Sequence, residues 1–312
     1  MKNIVFYVEP DWAFGAVHHE LGKRLRPYGF NCMVLAWNKS YTLDEMRELD
    51  KVVDLYVTTP HGWRFLGYDY QTVAPEKCAI VTHAKLDMTE LIHYHGLEDY
   101  DKFYKYACVS EWLVGVSKGL GIERETLLTP VAINYDLFYA EPSESLTTIG
   151  YAGSFHERTE FSQDQIASDL AQPKYHKRGY LVREIAERLG LNYRVAQWYH
   201  NTYVTMPGFY RSIDCLIAPS TEEGAGLPVM EAGAAGRLVI GTGVGHWPQK
   251  IKEYGGIEVP IAEKEFVETT CNLLSYYISH PKEYRDKCYS IREHARTYDW
   301  AHVIDSWVNL LS

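Results

Sequence analysis

Cysteine is scarce: Cys32, Cys78, Cys108, Cys215, Cys271 and Cys288 are the whole complement of 312 residues, and no two stand in a CxxC pair. That argues against a zinc ribbon or a stapled secreted domain and fits buried thiols in a reducing compartment. Long apolar runs are missing too. None approaches the ~20 residues of a membrane helix, which leaves room only for peripheral membrane contact. The opening MKNIVFYVEP has one Lys and a five-residue apolar run, too short for a signal peptide. A cytoplasmic location is expected. Positive charge is in deficit, with 31 basic against 41 acidic residues. Residues 1–145 hold 14 of the basic and 21 of the acidic ones. This argues against a chain that captures nucleic acid or anionic lipid by charge. The small cluster Lys23, Arg24 and Arg26 reads as the solvated face of a first helix. Low-complexity tracts and short-period repeats are absent, and nothing points to an oligomeric state.

What is present is an ordinary soluble composition, 46% hydrophobic and 23% charged, at a length that suits two domains. Tyrosine is in excess, 25 residues beside 8 Trp and 10 Phe. The two readings are aromatic core packing and a wet stacking surface.

Ile4 to Val8 is a β-branched and aromatic run that predicts a buried strand. A loop from Glu9 to Gly15 follows, then a helix with Val17, Leu21 and Leu25 on one face, then a strand over Cys32 to Ala36. This is a βαβ unit. Further strands are predicted over Val52–Val57, Cys78–Thr82, Tyr106–Val109 and Leu127–Pro130. The polar EPSESLTT, Glu141 to Thr148, marks a domain boundary. A second βα series starts at Thr148, with a helix over Tyr180–Leu189. Its later strands are predicted over Tyr193–Ala196, Cys215–Ala218, Leu238–Thr242 and Gly256–Val259. Two helices, about Lys282–Thr297 and Trp300–Leu311, close the chain. The fold class is α/β.

The chemistry concentrates in APSTEEGAGLPVMEAGAAGRLVIGTGVGHWP, Ala218 to Pro248. Pro219-Ser220 ends a strand, Gly224 and Gly226 make a turn, and Pro228 suits the first turn of a helix. A helix start exposes backbone N–H groups at its positive end, a ready anion site. Glu223 before the turn and Glu231 within the helix flank it. Carboxylates cannot coordinate phosphate, but they accept hydrogen bonds from sugar hydroxyls. A nucleotide-sugar has that layout, with hydroxyls on both sides of a diphosphate.

This stretch resembles the signature of glycosyltransferase family 4 and its relatives (glycosyl transferases group 1), the retaining group with the GT-B fold. The resemblance rests on two Glu eight positions apart around a Gly-rich helix start, followed by a small-residue helix, a strand and a Gly-rich loop. It implies two Rossmann-like domains facing across a cleft. These are an acceptor-binding domain over 1–145, a nucleotide-sugar-binding domain over 146–296, and a helix over 297–312 that crosses back to the first. It implies that Glu231 binds the ribose, Glu223 the transferred sugar, and the backbone of Ala225, Gly226 and Leu227 the donor. AFGAVHHELGKRLRPYGFNCMVL resembles the family's first glycine loop, with Gly15 near the donor phosphate or the acceptor. Thr82-His83-Ala84 resembles a strand end whose histidine lies near the transferred sugar. Ala107 to Phe138 resembles the end of the first domain, and Tyr298-Asp299-Trp300 the segment that returns to it.

The cations for the diphosphate depart from the family's pattern. Ser154 follows Gly153 where an Arg is usual, and Arg178 of Lys177-Arg178-Gly179 stands where Lys is usual. Arg178, Lys177 and Arg158 are the candidates, in that order. No metal motif is present. His18 and His19 are adjacent, so they point about 100° apart on a helix and read as surface or cleft residues. His246-Trp247 lies in the donor-side Gly loop, where Gln249 replaces the family's acid. Trp198 is either a base-stacking or a core residue. Trp12, Phe14 and Trp63, with Tyr7, Tyr68 and Tyr70, cluster in or beside N-terminal loops and favour an acceptor-stacking surface.

The implied function is a retaining glycosyltransferase that needs no cofactor. It would move a sugar from a UDP- or GDP-sugar to a hydroxyl of a glycan or other small polar acceptor. The alternatives are a nucleotide-sugar epimerase or hydrolase of the same fold, a non-catalytic nucleotide-sugar-binding subunit, and a DNA-modifying glycosyltransferase, which the acidic first half disfavours.

Overall fold

The computed structural model describes residues 1–9, 13–69, 71, 73–153, 177–196, 201–245 and 256–312. The chain forms two compact units, Met1–Ala132 with Trp300–Ser312, and Ile133–Asp299. Among the described residues no helix is long and apolar enough to cross a membrane.

In the first unit β1 (Lys2–Val8), β2 (Phe30–Ala36), β3 (Leu55–Thr58), β4 (Cys78–Thr82), β5 (Lys105–Cys108) and β6 (Thr126–Leu128) form one parallel sheet, ordered β2-β1-β3-β4-β5-β6. Ile4 pairs with Cys32 on one side and Leu55 on the other. Ile4 to Val8 are all fully buried, because a parallel strand covered on both faces needs apolar side chains at consecutive positions. Helices α1 (Ala13–Leu25), α2 (Leu43–Asp50), α3 (Lys85–His95) and α4 (Glu111–Gly119) connect the strands.

The second unit repeats the plan. Its strands are β7 (Thr148–Ala152), β8 (Asn192–Ala196), β9 (Cys215–Ala218), β10 (Leu238–Gly241) and β11 (Ile257–Glu258), all parallel and ordered β11-β10-β9-β7-β8. Its helices are α5 (Gly179–Leu189), α6 (Met206–Arg211), α7 (Leu227–Ala234), α8 (Glu263–Ser279) and α9 (Pro281–Ala295). In each sheet the order reverses beside the first strand, at β1 and at β7. A shared latch supports both reversals. Asp54, just before β3, accepts the Asn3 N–H at 2.6 Å. Asp214, just before β9, accepts the N–H groups of Thr147 and Thr148 at 2.9 Å each.

The structure departs from the sequence expectations at several places. The segment 133–145, read with the first domain, packs in the second unit. Ile133 N–H donates to Tyr298 O at 3.0 Å, and Tyr135 N–H donates to the Asp299 carboxylate at 3.0 Å. The chain returns to the first unit at Trp300, not at 297. There α10 (Ile304–Leu311) buries Trp307, whose Nε1 donates to Pro130 O at 2.9 Å. Gly15 lies in the first turn of α1 rather than in the preceding loop, because the helix starts at Ala13. The α8 helix was not anticipated. Cys78, Cys108, Cys215 and Cys288 are buried as expected, whereas Cys32 and Cys271 are half-buried, and all six are free thiols.

Part of the tyrosine excess goes into the cores. Tyr7, Tyr56, Tyr100, Tyr106, Tyr151, Tyr210 and Tyr284 are among the largest fully buried side chains. Tyr7 and Trp63 therefore correct the stacking-surface reading. Trp63 is 4% exposed and meets the Phe103 ring edge-on at 5.0 Å. Trp12, Tyr70, Ser154, Arg158, Trp198, His246, Trp247 and Gln249 lie outside the described residues, as do the side chains of Phe14 and Tyr68.

Candidate active site

A cavity in the second unit sits where β7 and β9 meet, at the carboxyl ends of the strands. In an open parallel sheet, the point where strand order reverses leaves a crevice there, since the two connections leave in opposite directions. Tyr151 and Ala152 from β7, Ala218 from the end of β9, Ser220 after it, and Glu223 with Ala225 and Gly226 line it. The start of α7, the loop after β10 and Tyr298 complete the wall.

Glycine shapes this wall at two points. Gly226, at φ +82°, precedes α7, and Pro228 stands at its second position. The left-handed turn suits Gly because a Cβ would crowd the backbone. Gly245, at φ +68°, brings the loop after β10 against the turn. A Cβ there would lie 2.9 Å from Ala225 O and 3.1 Å from Glu223 Cβ. Thr242 Oγ1 donates to Ser220 O and ties the two loops together. Gly153 follows β7, where a Cβ would come within 2.6 Å of the Tyr151 hydroxyl.

Glu223 Oε1 receives two hydrogen bonds, from Lys177 Nζ at 2.5 Å and from Ser220 Oγ at 2.7 Å. Both ionic partners are about a fifth exposed. Lys177 is thus tied to a carboxylate that lines the cavity. Arg178 is placed differently. It is 5% exposed, its Nε donates to Pro219 O at 2.7 Å and its Nη1 to Ile261 O at 2.6 Å, and its guanidinium lies over the Phe266 ring. It adopts φ +47° immediately before α5. These two bonds tie Arg178 to the backbone of two loops.

Glu231 is 6% exposed and sits in the second turn of α7. Its Oε2 accepts the Tyr210 hydroxyl at 2.7 Å. Burial pushes its carboxyl up to about 7, and the phenol hydrogen bond opposes that rise. Tyr210 escaped the sequence reading. It lies 21 residues upstream on α6, and only packing brings it to Glu231. Ser220 was noted as a strand-end residue, but its bond to Glu223 was not foreseen.

In the first unit His83 follows β4 and is 7% exposed. Burial, and secondarily His18, holds its imidazole well below the ordinary range. His18 is 1% exposed, with its ring 5.8 Å from His83 and 4.9 Å from Phe6. That corrects its reading as a surface or cleft residue, whereas His19 is exposed. Among the described residues no group of three His, Cys, Asp or Glu could hold a metal ion.

Two parallel sheets, each with its strand order reversing beside its first strand, define a two-domain α/β protein of the Rossmann-like kind. Residues 148–276, the greater part of the second unit, match the family model for glycosyl transferases group 1. Over 139 residues the chain is 27% identical to the D-inositol 3-phosphate glycosyltransferase of Mycolicibacterium smegmatis. That stretch is 45% of this chain and spans 30% of the length of that relative. The whole chain is similar in structure to the sucrose-phosphate synthase of Thermosynechococcus elongatus, with TM-score 0.72, 13% identity, and coverage of 100% of this chain and 98% of that one. It is also similar to Anabaena HepE in complex with UDP-glucose, with TM-score 0.66, 12% identity, and coverage of 100% and 99%. The fold is that of the GT-B glycosyltransferases.

Proposed function

We propose that the protein is a retaining glycosyltransferase. It moves a sugar from a UDP- or GDP-sugar, bound by the second unit, to a hydroxyl of a glycan or other small polar acceptor, bound by the first. The observation that carries this reading is the cavity between β7 and β9 with Glu223 and the start of α7 on its wall and Lys177 bonded to Glu223. The helix start offers backbone N–H to an anion, and Lys177 adds a cation. These are the groups a leaving diphosphate needs. Glu223 and Glu231, on either side of the helix start, accept hydroxyls from the sugar and the ribose. In the first unit His83, buried after β4, is the candidate site residue. HepE, whose structure is a complex with UDP-glucose, supports a nucleotide-sugar donor, and the D-inositol 3-phosphate glycosyltransferase supports glycosyl transfer.

In the proposed reaction the anomeric carbon–oxygen bond to the diphosphate breaks. The acceptor oxygen bonds to that carbon from the same face, and its proton passes to the departing phosphate oxygen. The nucleoside diphosphate leaves carrying that proton. Lys177 and the α7 amides hold the negative charge that develops on it.

Thermal stabilisation by UDP-, GDP-, ADP- and CDP-glucose tests the donor. One of them, at about a hundredfold its Kd, is expected to add roughly 2.7 kcal/mol, and Glu231→Ala is expected to lose that gain. Donor consumption with and without added sugar acceptors then separates transfer from hydrolysis or epimerisation. Consumption that never yields an acceptor adduct would sink the transferase reading.

A further inference from the structure

The Glu231 carboxylate is not left to choose its own orientation. Oε2 accepts the Tyr210 hydroxyl at 2.7 Å, and among the described residues Oε1 receives no hydrogen bond. The Tyr210 ring is itself fixed, fully buried, with Phe209 at 5.3 Å and Phe138 at 5.9 Å between ring centroids. Its hydroxyl is thus held by α6 and aimed at one oxygen of a carboxylate on α7. We propose that Tyr210 is a positioning residue for donor binding: it occupies Oε2, locks the Glu231 rotamer and reserves Oε1 for the ribose hydroxyls of the nucleotide-sugar. This rests on the nucleotide-sugar reading of the second unit.

The chemistry favours this division of labour. A carboxylate with two idle oxygens can rotate and accept hydroxyls in several geometries, so ordering it costs binding free energy. A phenol that holds one oxygen removes that cost before the ligand arrives. The bond also favours the ionised carboxyl, which is the better acceptor for a hydroxyl. Tyr210 stays protonated as a donor, because burial first and the Glu231 charge second push its phenol well upward. The elements packed on α7 are the short helix Tyr135–Phe138, α6, β9, β10 and α9. They carry other ionisable groups, including Tyr135, Asp136, Arg211, Cys215, Cys288 and Arg292. Among the described residues the phenol of Tyr210 is the side chain acting on the carboxyl.

The test measures UDP-glucose binding by calorimetry from pH 5.5 to 8.5. The diphosphate of this probe is a diester without the titrating terminal phosphate of free UDP. Wild-type affinity is expected to rise with pH as Glu231 ionises, with a midpoint near 7. In Tyr210→Phe, which keeps the ring in place, affinity at pH 7 is expected to fall about tenfold, and the midpoint to move to higher pH. In Glu231→Gln the pH dependence is expected to vanish, and adding Tyr210→Phe to it should cost almost nothing further. If the wild type responds to none of the UDP-, GDP-, ADP- and CDP-glucose probes, the nucleotide-sugar reading falls, and this inference with it. If the wild type binds but Tyr210→Phe lowers affinity equally at every pH, or by the same factor in the Glu231→Gln background, the positioning role alone is overturned.

Discussion

At the scale of single residues, the two neighbours Lys177 and Arg178 do opposite work. The Arg178 guanidinium spans two backbone carbonyls of different loops. Removing it leaves those buried acceptors unmet, and Arg178→Ala is expected to cost about 3 kcal/mol in urea unfolding. Lys177→Ala is expected to change stability by less than about 1 kcal/mol, because the pair is reached by solvent and Ser220 still donates to Glu223, while turnover falls tenfold or more. Equal losses of stability in the two variants would refute this division. Glu231 supplies a pH test. Its carboxyl keeps its proton up to about 7 in the folded chain, against 4.5 ordinarily. The folded state therefore binds more protons between those values, so its contribution is fullest below 4.5 and is lost as pH rises to about 7. Unfolding of Glu231→Gln, followed from pH 4.5 to 7.5, should lack a fall of roughly 3 kcal/mol that the wild type shows. Matching slopes would contradict it. The Glu pair was legible because its spacing around a Gly–Pro helix start is local. Tyr210 was not, because nothing in a chain marks which tyrosine will end opposite a given glutamate.

At the scale of elements, strand positions followed from composition. A parallel strand buried on both faces needs four to seven apolar residues in a row, and Ile4–Val8 and Cys78–Thr82 show it plainly. Helix starts were less legible. Ala13 and Phe14 look like loop residues beside Gly15, yet α1 begins at Ala13. The active-site elements depend on close approach of backbones, as at Gly245. Gly245→Ala would set a Cβ 2.9 Å from Ala225 O at a left-handed φ. It is expected to cost about 1–3 kcal/mol and to weaken nucleotide-sugar binding by moving Glu223 and Ala225. Thermal melting with and without UDP-glucose checks both effects, and unchanged values in each would remove the loop from the site.

At the scale of the whole molecule, the last residues complete the first unit. Trp300, Trp307, Leu310 and Leu311 are buried there, and Lys2 Nζ donates to Leu311 O at 2.6 Å. Trp307→Ala is expected to cost about 3–5 kcal/mol, with proteolysis of residues 1–132 before 133–299. Simultaneous digestion of both units would argue against that assignment. The sequence by itself determined the α/β alternation, the strand positions and the Glu223–Glu231 signature, because each depends on residues a few positions apart. Only the tertiary structure decided that Tyr7, Tyr56, Tyr106 and Tyr210 fill cores, that 133–145 belongs to the second unit, that Arg178 holds loops while Lys177 meets Glu223, and that Tyr210 holds Glu231. Those outcomes depend on which distant groups are buried together. Burial, which sets the value of each hydrogen bond and charge, is a property of the packed chain.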